Sequence, residues 1–98
     1  FEADYSKHVY HIYAIRVKNR DKLIDFLKKN DIGCGIHYPI PIHLQNAYKS
    51  LQIKEGAYPI VEKTANEFIS LPMYPELTID TQMKIINHII ETIENNQY

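Results

Sequence analysis

Two histidines and a tyrosine lie in a short stretch that also holds two prolines, His37-Tyr38-Pro39-Ile40-Pro41-Ile42-His43. Each proline fixes its own φ near about −65° and disfavours helical geometry in the residue before it, so Tyr38 and Ile40 are expected to be extended. Because proline has no backbone N–H, a central strand is not expected here. The stretch predicts a rigid loop with an imidazole at each end and a phenol inside. Such a loop is suited to ligand binding, and a well-packed turn with local hydrogen bonds is the alternative.

The residue types give little indication of a metal site, a catalytic nucleophile or a phosphate-binding loop. His37 and His43 could approach each other, but no thiolate or carboxylate in the stretch completes a metal-ligand set, so no metal site is predicted. Cys34 stands among glycines and aliphatic residues, which favours a structural thiol over a nucleophile. Gly33 and Gly35 precede Ile36 rather than a helix start, which argues against a phosphate loop. Composition and spacing alone therefore indicate a binding loop without a catalytic set.

The elements before the loop are predicted from hydrophobic periodicity. His8–Val17 is apolar on both faces and predicts a strand covered on each side. Asn19 is a candidate N-cap for a helix that ends at Asn30-Asp31. Ile32–Ile36 predicts a short strand whose glycines let another backbone or a ligand come close. The core stripe of the first helix is expected to be Leu23, Ile24 and Leu27, with Phe26 at its margin.

The elements after the loop are mainly helical. Leu44–Leu51 predicts a short amphipathic helix, and Pro59 suits the first turn of another. Residues 69–71 can leave that helix as an extended segment, and Thr78 or Asp80 can cap the last helix. The second of these helices is expected to bury Ile60, Val61, Ala65, Phe68 and Ile69. The last is expected to pack through Ile79, Met83, Ile86, Ile90 and Ile93, widened by Ile85 and Ile89. The order predicts an α+β domain with a short antiparallel or mixed sheet and about four helices.

Length and composition set the broad class. The 98 residues are expected to form one domain over residues 8–98, with residues 1–7 as a linker remnant. A formal net charge of −1 without a basic block gives no indication of nucleic acid as a partner. No apolar run approaches the roughly 20 residues of a membrane span. The single cysteine fits a cytoplasmic protein. The start without methionine is expected either from processing or because the sequence is a piece of a longer chain.

Several short motifs, taken together in their order, resemble the C-terminal small domain of the DegT/DnrJ/EryC1/StrS aminotransferases. The strongest is the run from His37 to Gln45, followed by Ala47-Tyr48. The other matching segments are His11-Ile12-Tyr13, Arg20-Asp21, Tyr58-Pro59 with Glu62 and Ala65, and Ser70 to Thr78. The resemblance extends from about residue 8 to residue 93.

The resemblance implies a fold type I, pyridoxal 5'-phosphate-dependent enzyme that works as a homodimer. In that family the large N-terminal domain holds the cofactor and the Schiff-base lysine, and this chain has no counterpart of that domain. None of its lysines stands in the family's Schiff-base motif, so no catalytic residue is expected here. The chain alone is predicted neither to bind the cofactor tightly nor to transaminate.

The resemblance also implies the reaction of the whole enzyme. An amino group, from glutamate, would pass to a nucleotide-linked keto-6-deoxysugar in polysaccharide, lipopolysaccharide or other amino-sugar biosynthesis. His37, Tyr38 and His43 are predicted to line the sugar or phosphate side of the cleft, since imidazole and phenol groups bind hydroxyl and phosphate oxygens. The form of the loop is closer to the branch that acts on 3-keto sugars than to the 4-keto branch.

Three other hypotheses stay open at this point. The chain could be a free-standing domain that binds a small molecule or regulates without catalysis. It could be a structural or interaction module. It could belong to a family relative that uses the cofactor to dehydrate a sugar.

Overall fold

A computed structural model of the chain describes residues 2–94. It confirms the α+β class, with a two-stranded antiparallel sheet, three α-helices and two 3-10 turns. The strands are β1, Tyr13–Arg16, and β2, Phe68–Leu71. The α-helices are α1, Arg20–Lys29, α2, Pro59–Glu67, and α3, Ile79–Glu94. The 3-10 turns are Ile42–Leu44 and Asn46–Leu51. Within residues 2–94, no helix is both long enough and apolar enough to cross a membrane.

The first strand is shorter than predicted and is not covered on both sides. Its register pairs Tyr13 with Leu71 and Arg16 with Phe68, so the ladder ends where β2 ends. Pro72 follows β2 and has no N–H with which to extend the ladder. Tyr10 has a φ of 50°, which interrupts the extended backbone expected over residues 8–12. The paired part of β1 can extend only as far as its partner, and β2 has four residues.

The predicted strand Ile32–Ile36 is reduced to one antiparallel bridge between Gly35 and Ser70. The two residues exchange both backbone hydrogen bonds, at 3.0 and 2.7 Å. Because Ser70 also faces Ala14 of β1, β2 lies between β1 and the Gly35 segment. The expected close approach of another backbone to the glycines is therefore confirmed at Gly35.

Helix α1 packs as predicted and ends in a Schellman motif. Asp31 is left-handed, with a φ of 57°. The N–H of Ile32 donates to the Leu27 carbonyl at 2.9 Å, and that of Asp31 donates to the Lys28 carbonyl at 3.1 Å. At the other end Asn19 occupies the predicted N-cap position, but it is left-handed and its side chain makes no cap hydrogen bond. The core around α1 consists of Val17, Leu23, Ile24, Leu27, Ile32, Ile69, Ile85 and Ile89.

Two arginines, one at the end of β1 and one at the beginning of α1, attach these elements to the end of α2. Buried Arg20 donates through Nη1 to the Ala65 carbonyl at 2.6 Å and pairs with Asp21 at 2.9 Å. Arg16 donates through Nε and Nη2 to Glu67 Oε2, at 3.1 and 2.5 Å. The Arg16 hydrogen bond is the main reason that the pKa of Glu67 lies below its usual range. These contacts fix the end of α2 where the chain enters β2.

The helix predicted over Leu44–Leu51 is wrong in type, because the segment forms 3-10 turns in which no residue is buried. Helix α2 begins at Pro59 as predicted, but Ile60 and Val61 are exposed, and Ala65 is its buried residue. Phe68 and Ile69 belong to β2, which confirms the extended segment considered for residues 69–71.

Helix α3 packs on the core through a different face from the one predicted. Its N-terminus is capped by Thr78, whose Oγ1 accepts from the Thr81 N–H at 3.2 Å. Ile85 and Ile89, expected to widen the seam, are the buried isoleucines of α3, together with Thr92. The residues predicted as the main seam are all exposed: Ile79, Met83, Ile86, Ile90 and Ile93.

Candidate functional site

The His37–His43 loop leaves the sheet at Gly35 and is held there by β2. His37 Nδ1 lies 2.9 Å from Ser70 Oγ, and Ser70 is buried. A Cβ on Gly35 would lie 3.0 Å from His37 Cε1, so glycine leaves room for the ring. The loop begins from a fixed point, because one residue of β2 binds both the Gly35 backbone and the His37 ring.

His37 and Tyr38 present two polar aromatic groups at the surface. Their ring centroids are 5.6 Å apart, with the ring planes at 90°. The Tyr38 residue is 72% exposed, and His37 is exposed as well. With Nδ1 bound to Ser70, Nε2 is the second ring nitrogen of His37 and can serve as donor or acceptor for a ligand. This part of the loop has the form expected of a binding surface.

His43 lies in a different environment, at the N-terminal end of α2. Its side chain is 8% exposed, and Nε2 lies 2.9 Å from Glu62 Oε1. The Tyr58 ring meets the imidazole edge-on, at a centroid distance of 4.9 Å. His43 therefore attaches the end of the loop to α2, while His37 attaches its start to β2.

Glu62 gathers the groups around the start of α2. Its Oε2 accepts the Gly56 N–H at 2.8 Å, and its Oε1 accepts the Tyr58 N–H at 3.2 Å in addition to the His43 contact. Tyr58 is the N-cap residue and makes no side-chain cap, so the Glu62 carboxylate reaches back in its place. The Gly56 hydrogen bond, followed by that of His43, holds the pKa of Glu62 below its usual range.

The structure brings together His37 and Tyr38, and it places His43 with Glu62 and Tyr58. Substrate binding by the three predicted residues stays a prediction. Ser70 and Glu62 were in the motifs of the sequence, but their part as partners of the two histidines was missed. For Glu62 a signal was present, because a carboxylate in the first turn of a helix can reach back to the backbone N–H groups before the helix, as it does here to Gly56 and Tyr58. For Ser70 the sequence holds no such signal, since the contact depends on the Gly35 bridge.

Among residues 2–94, no group of three or more histidine, cysteine or acidic residues could hold a metal ion. All nine lysines lie within this range and are exposed. A Schiff base with pyridoxal phosphate needs a lysine held beside the aldehyde of an enclosed cofactor. In this domain by itself, all nine lysines lie at the surface and none is enclosed. Burial raises the pKa of the Cys34 thiol, which does not favour a nucleophile.

A large cleft of about 890 Å³ lies on another side of the domain. It is formed by the N-terminal segment, the loop after β2 and the first half of α3, and none of His37, Tyr38 and His43 lines it. Tyr10, Tyr13 and Tyr74 on its wall are each half exposed or more. Residues 71–75, which include Pro72 and Pro75, therefore line this cleft and not the His37–His43 loop.

Residues 2–94 thus form a small α+β domain with a loop that is anchored at both ends, to Ser70 and to Glu62. Residues 1–90 match the model of the DegT/DnrJ/EryC1/StrS aminotransferase family. Because the match covers most of the 98 residues, the chain belongs to this family.

Three relatives place the chain within the family. It is 46% identical over 90 residues to a pleiotropic regulatory protein of Geobacillus stearothermophilus, covering 92% of this chain and 24% of that protein. It is 37% identical over 91 residues to the dTDP-3-amino-3,4,6-trideoxy-alpha-D-glucose transaminase of Micromonospora megalomicea subsp. nigra, with the same coverage of 92% and 24%. A crystal structure of S. venezuelae DesV with a ketimine intermediate superposes with a TM-score of 0.82 at 32% identity, over 93% of this chain and 24% of DesV. The chain thus spans about a quarter of the length of these relatives.

The Glu62 contacts predict a pH dependence of stability. Since the pKa of Glu62 is lowered on folding, its ionised form stabilises the fold fully above the usual glutamate pKa of about 4.3, and this is lost as pH falls through the lower folded-state value. Wild type should therefore exceed Glu62→Gln in stability above about pH 5, and the difference should shrink below about pH 4. Urea unfolding midpoints of wild type and Glu62→Gln over this pH range measure the difference in stability.

The control variant is Glu76→Gln, which removes the same charge from an exposed turn. If the stability of Glu62→Gln changed with pH in the same way as that of Glu76→Gln, the prediction would be contradicted.

Proposed function

We propose that the chain is the C-terminal small domain of a pyridoxal phosphate-dependent sugar aminotransferase. The observation that carries the proposal is the family match over residues 1–90, joined to a surface loop that presents His37 and Tyr38. The whole enzyme moves an amino group from glutamate to a keto-sugar carried by a nucleoside diphosphate. Its large N-terminal domain is this domain's first partner, and the enzyme acts as a cytoplasmic homodimer.

In this proposal the chemistry of amino transfer is supplied by pyridoxal phosphate bound in the rest of the enzyme. The nine exposed lysines support that division, because none lies in an enclosed site. The present domain contributes a wall of the substrate cleft. The catalytic residue and the tightly bound cofactor belong to the large domain.

The binding role assigns different tasks to the three loop residues. His37 and Tyr38 bind sugar hydroxyl or phosphate oxygens, since both are exposed and both can donate hydrogen bonds. His43 also belongs to the site and holds the end of the loop through Glu62. Pro39 and Pro41 keep the loop in one conformation before substrate arrives, which lowers the entropy lost on binding.

The substrate class is a nucleotide-linked 3-keto-6-deoxysugar. The loop sequence is closer to that of the family members that act on 3-keto sugars. The name of the Micromonospora relative, a transaminase for a dTDP-3-amino sugar, supports the same substrate class. An assay must therefore compare the 3-keto-sugar with the corresponding 4-keto-sugar.

A second candidate function is regulatory binding without catalysis. It is favoured by one observation, the name of the Geobacillus relative, which is a pleiotropic regulatory protein. In that case the loop would bind a small molecule, and the full-length protein would not release an amino sugar.

The experiment that tests the proposal compares the full-length protein with the 98-residue chain. The full-length protein should convert glutamate and a thymidine-diphosphate 3-keto-sugar to the amino sugar, and convert the 4-keto isomer more slowly. The 98-residue chain should do neither, and borohydride should trap no stoichiometric pyridoxal phosphate adduct on it. A specific adduct on this chain would contradict the proposal that the cofactor and the catalytic lysine belong to the large domain. Binding without turnover would favour the regulatory candidate, and loss of a sugar hydroxyl as water would identify a dehydratase.

Substitutions in the loop test its place in the cleft. In the full-length enzyme, His37→Ala should lower kcat/KM about 10- to 100-fold, because a hydrogen bond to a charged group contributes about 1.5–3 kcal/mol. His43→Ala should lower kcat/KM and also the melting temperature, since it leaves Glu62 without its ring partner. His88→Ala, on α3 against Phe26, is the matched control and should leave the kinetics unchanged. Unchanged kinetics in both loop variants would remove the loop from the substrate site.

A further inference from the structure

Ser70 carries a buried hydroxyl whose hydrogen-bond partner is the His37 ring. Ser70 is 7% exposed, and its Oγ lies 2.9 Å from His37 Nδ1. The backbone N–H and carbonyl of Ser70 are both occupied by Gly35, at 2.7 and 3.0 Å. Among residues 2–94, His37 Nδ1 is the atom that this hydroxyl bonds. Because a buried O–H that donates to nothing costs free energy, the hydroxyl proton is directed at Nδ1.

The direction of this hydrogen bond determines which nitrogen of His37 carries the proton. A neutral imidazole has one N–H, and the nitrogen that accepts a hydrogen bond is the one without it. With Nδ1 as the acceptor, the N–H of His37 is on Nε2. Nε2 lies across the ring from the bonded nitrogen, and His37 is exposed to solvent. Ser70 thereby makes the second nitrogen of the ring a hydrogen-bond donor toward a ligand.

Gly35 keeps the ring in this position. A Cβ at residue 35 would lie 3.0 Å from His37 Cε1 and 3.7 Å from each ring nitrogen, so the ring packs directly against the glycine. The same glycine exchanges both backbone hydrogen bonds with Ser70. One bridge of the sheet therefore fixes both the hydroxyl and the ring that it bonds.

A fixed N–H donor is suited to an oxygen that carries no proton. Sugar hydroxyls can donate as well as accept, so they can bind either tautomer of a histidine. Ionised phosphate oxygens only accept, and hydrogen bonds to them are strengthened by their charge. A lone pair on Nε2 would repel such an oxygen, whereas an N–H on Nε2 binds it. The choice of tautomer therefore matters most for the diphosphate of a nucleotide-sugar.

We propose that Ser70 is a positioning residue, which fixes the His37 tautomer so that the Nε2 N–H donates to the diphosphate of the substrate. This inference rests on the proposed function, since it takes the substrate to be a nucleotide-sugar. Ser70 acts through His37 and makes no contact with the substrate itself.

Calorimetric titration of the full-length protein with thymidine diphosphate and with uridine diphosphate tests the proposal without turnover. For the nucleotide that binds more tightly, Ser70→Ala should lower the affinity about 3- to 10-fold, as expected for the loss of one hydrogen bond. Ser70→Thr keeps a hydroxyl and should retain the affinity to within about twofold. In a His37→Ala background, Ser70→Ala should have no further effect. Equal losses in the two backgrounds, or binding of neither nucleotide, would overturn the inference.

Thr92→Val is the matched control, because it removes another buried hydroxyl of the same domain, which donates to the His88 carbonyl. It should leave the affinity for the nucleotide unchanged. If Ser70→Ala does not fold, Gly35→Ala takes its place, since its Cβ displaces the His37 ring while the Ser70 hydroxyl remains. This variant is held to the same criterion in both backgrounds.

Steady-state kinetics identify the oxygen that His37 contacts. The diphosphate does not react, so a lost contact with it raises KM and leaves kcat unchanged. Ser70→Ala should therefore raise KM for the keto-sugar about 3- to 10-fold. A comparable fall in kcat would place His37 at the reacting keto oxygen and overturn the diphosphate contact. Coupling in the titrations without any turnover removes the transaminase function alone. Turnover with unchanged nucleotide affinity in Ser70→Ala removes this inference alone.

Discussion

The structure depends on the two-sided pairing of Ser70 in β2. Its backbone faces Ala14 on one side and exchanges hydrogen bonds with Gly35 on the other, while its hydroxyl bonds the His37 ring. The preceding residue, Ile69, points to the opposite face and is fully buried in the core, which stabilises the fold by about 1.5–3 kcal/mol. Residues alternate in direction along a strand, so a four-residue strand joins the hydrophobic core to the candidate binding loop.

Glu62 provides the second fixed point of the loop. One carboxylate binds the backbone of the segment before α2, replaces the missing side-chain cap and holds His43. Between Ser70 and Glu62 the loop has little freedom, because Pro39 and Pro41 restrict its backbone. The two ends of the loop therefore differ: the His43 side chain is enclosed against α2, whereas His37 and Tyr38 are exposed to solvent.

The sequence was sufficient for the features that local chemistry determines. The α1 stripe, the start of α2 at Pro59 and the Thr78 cap follow from periodicity and capping and were predicted. The length of β1 was not predicted correctly, because the four residues of its partner β2 limit the pairing, whereas the apolar pattern of β1 itself is longer. The buried face of α3 was predicted wrongly, because isoleucines lie on two adjacent sides of this helix and periodicity alone does not show which side meets the core. The loop was found from its prolines and histidines, but the Ser70 and Glu62 contacts needed the tertiary structure.

The central claim is that the anchored loop forms one wall of a nucleotide-sugar cleft. The most direct measurement is a crystal structure of the full-length protein with a thymidine-diphosphate amino sugar bound. The account predicts that His37 Nε2 or the Tyr38 hydroxyl lies within about 3.2 Å of a sugar or phosphate oxygen, with the Ser70 and Glu62 contacts retained. A bound nucleotide-sugar that makes no contact with residues 37–43 would contradict it.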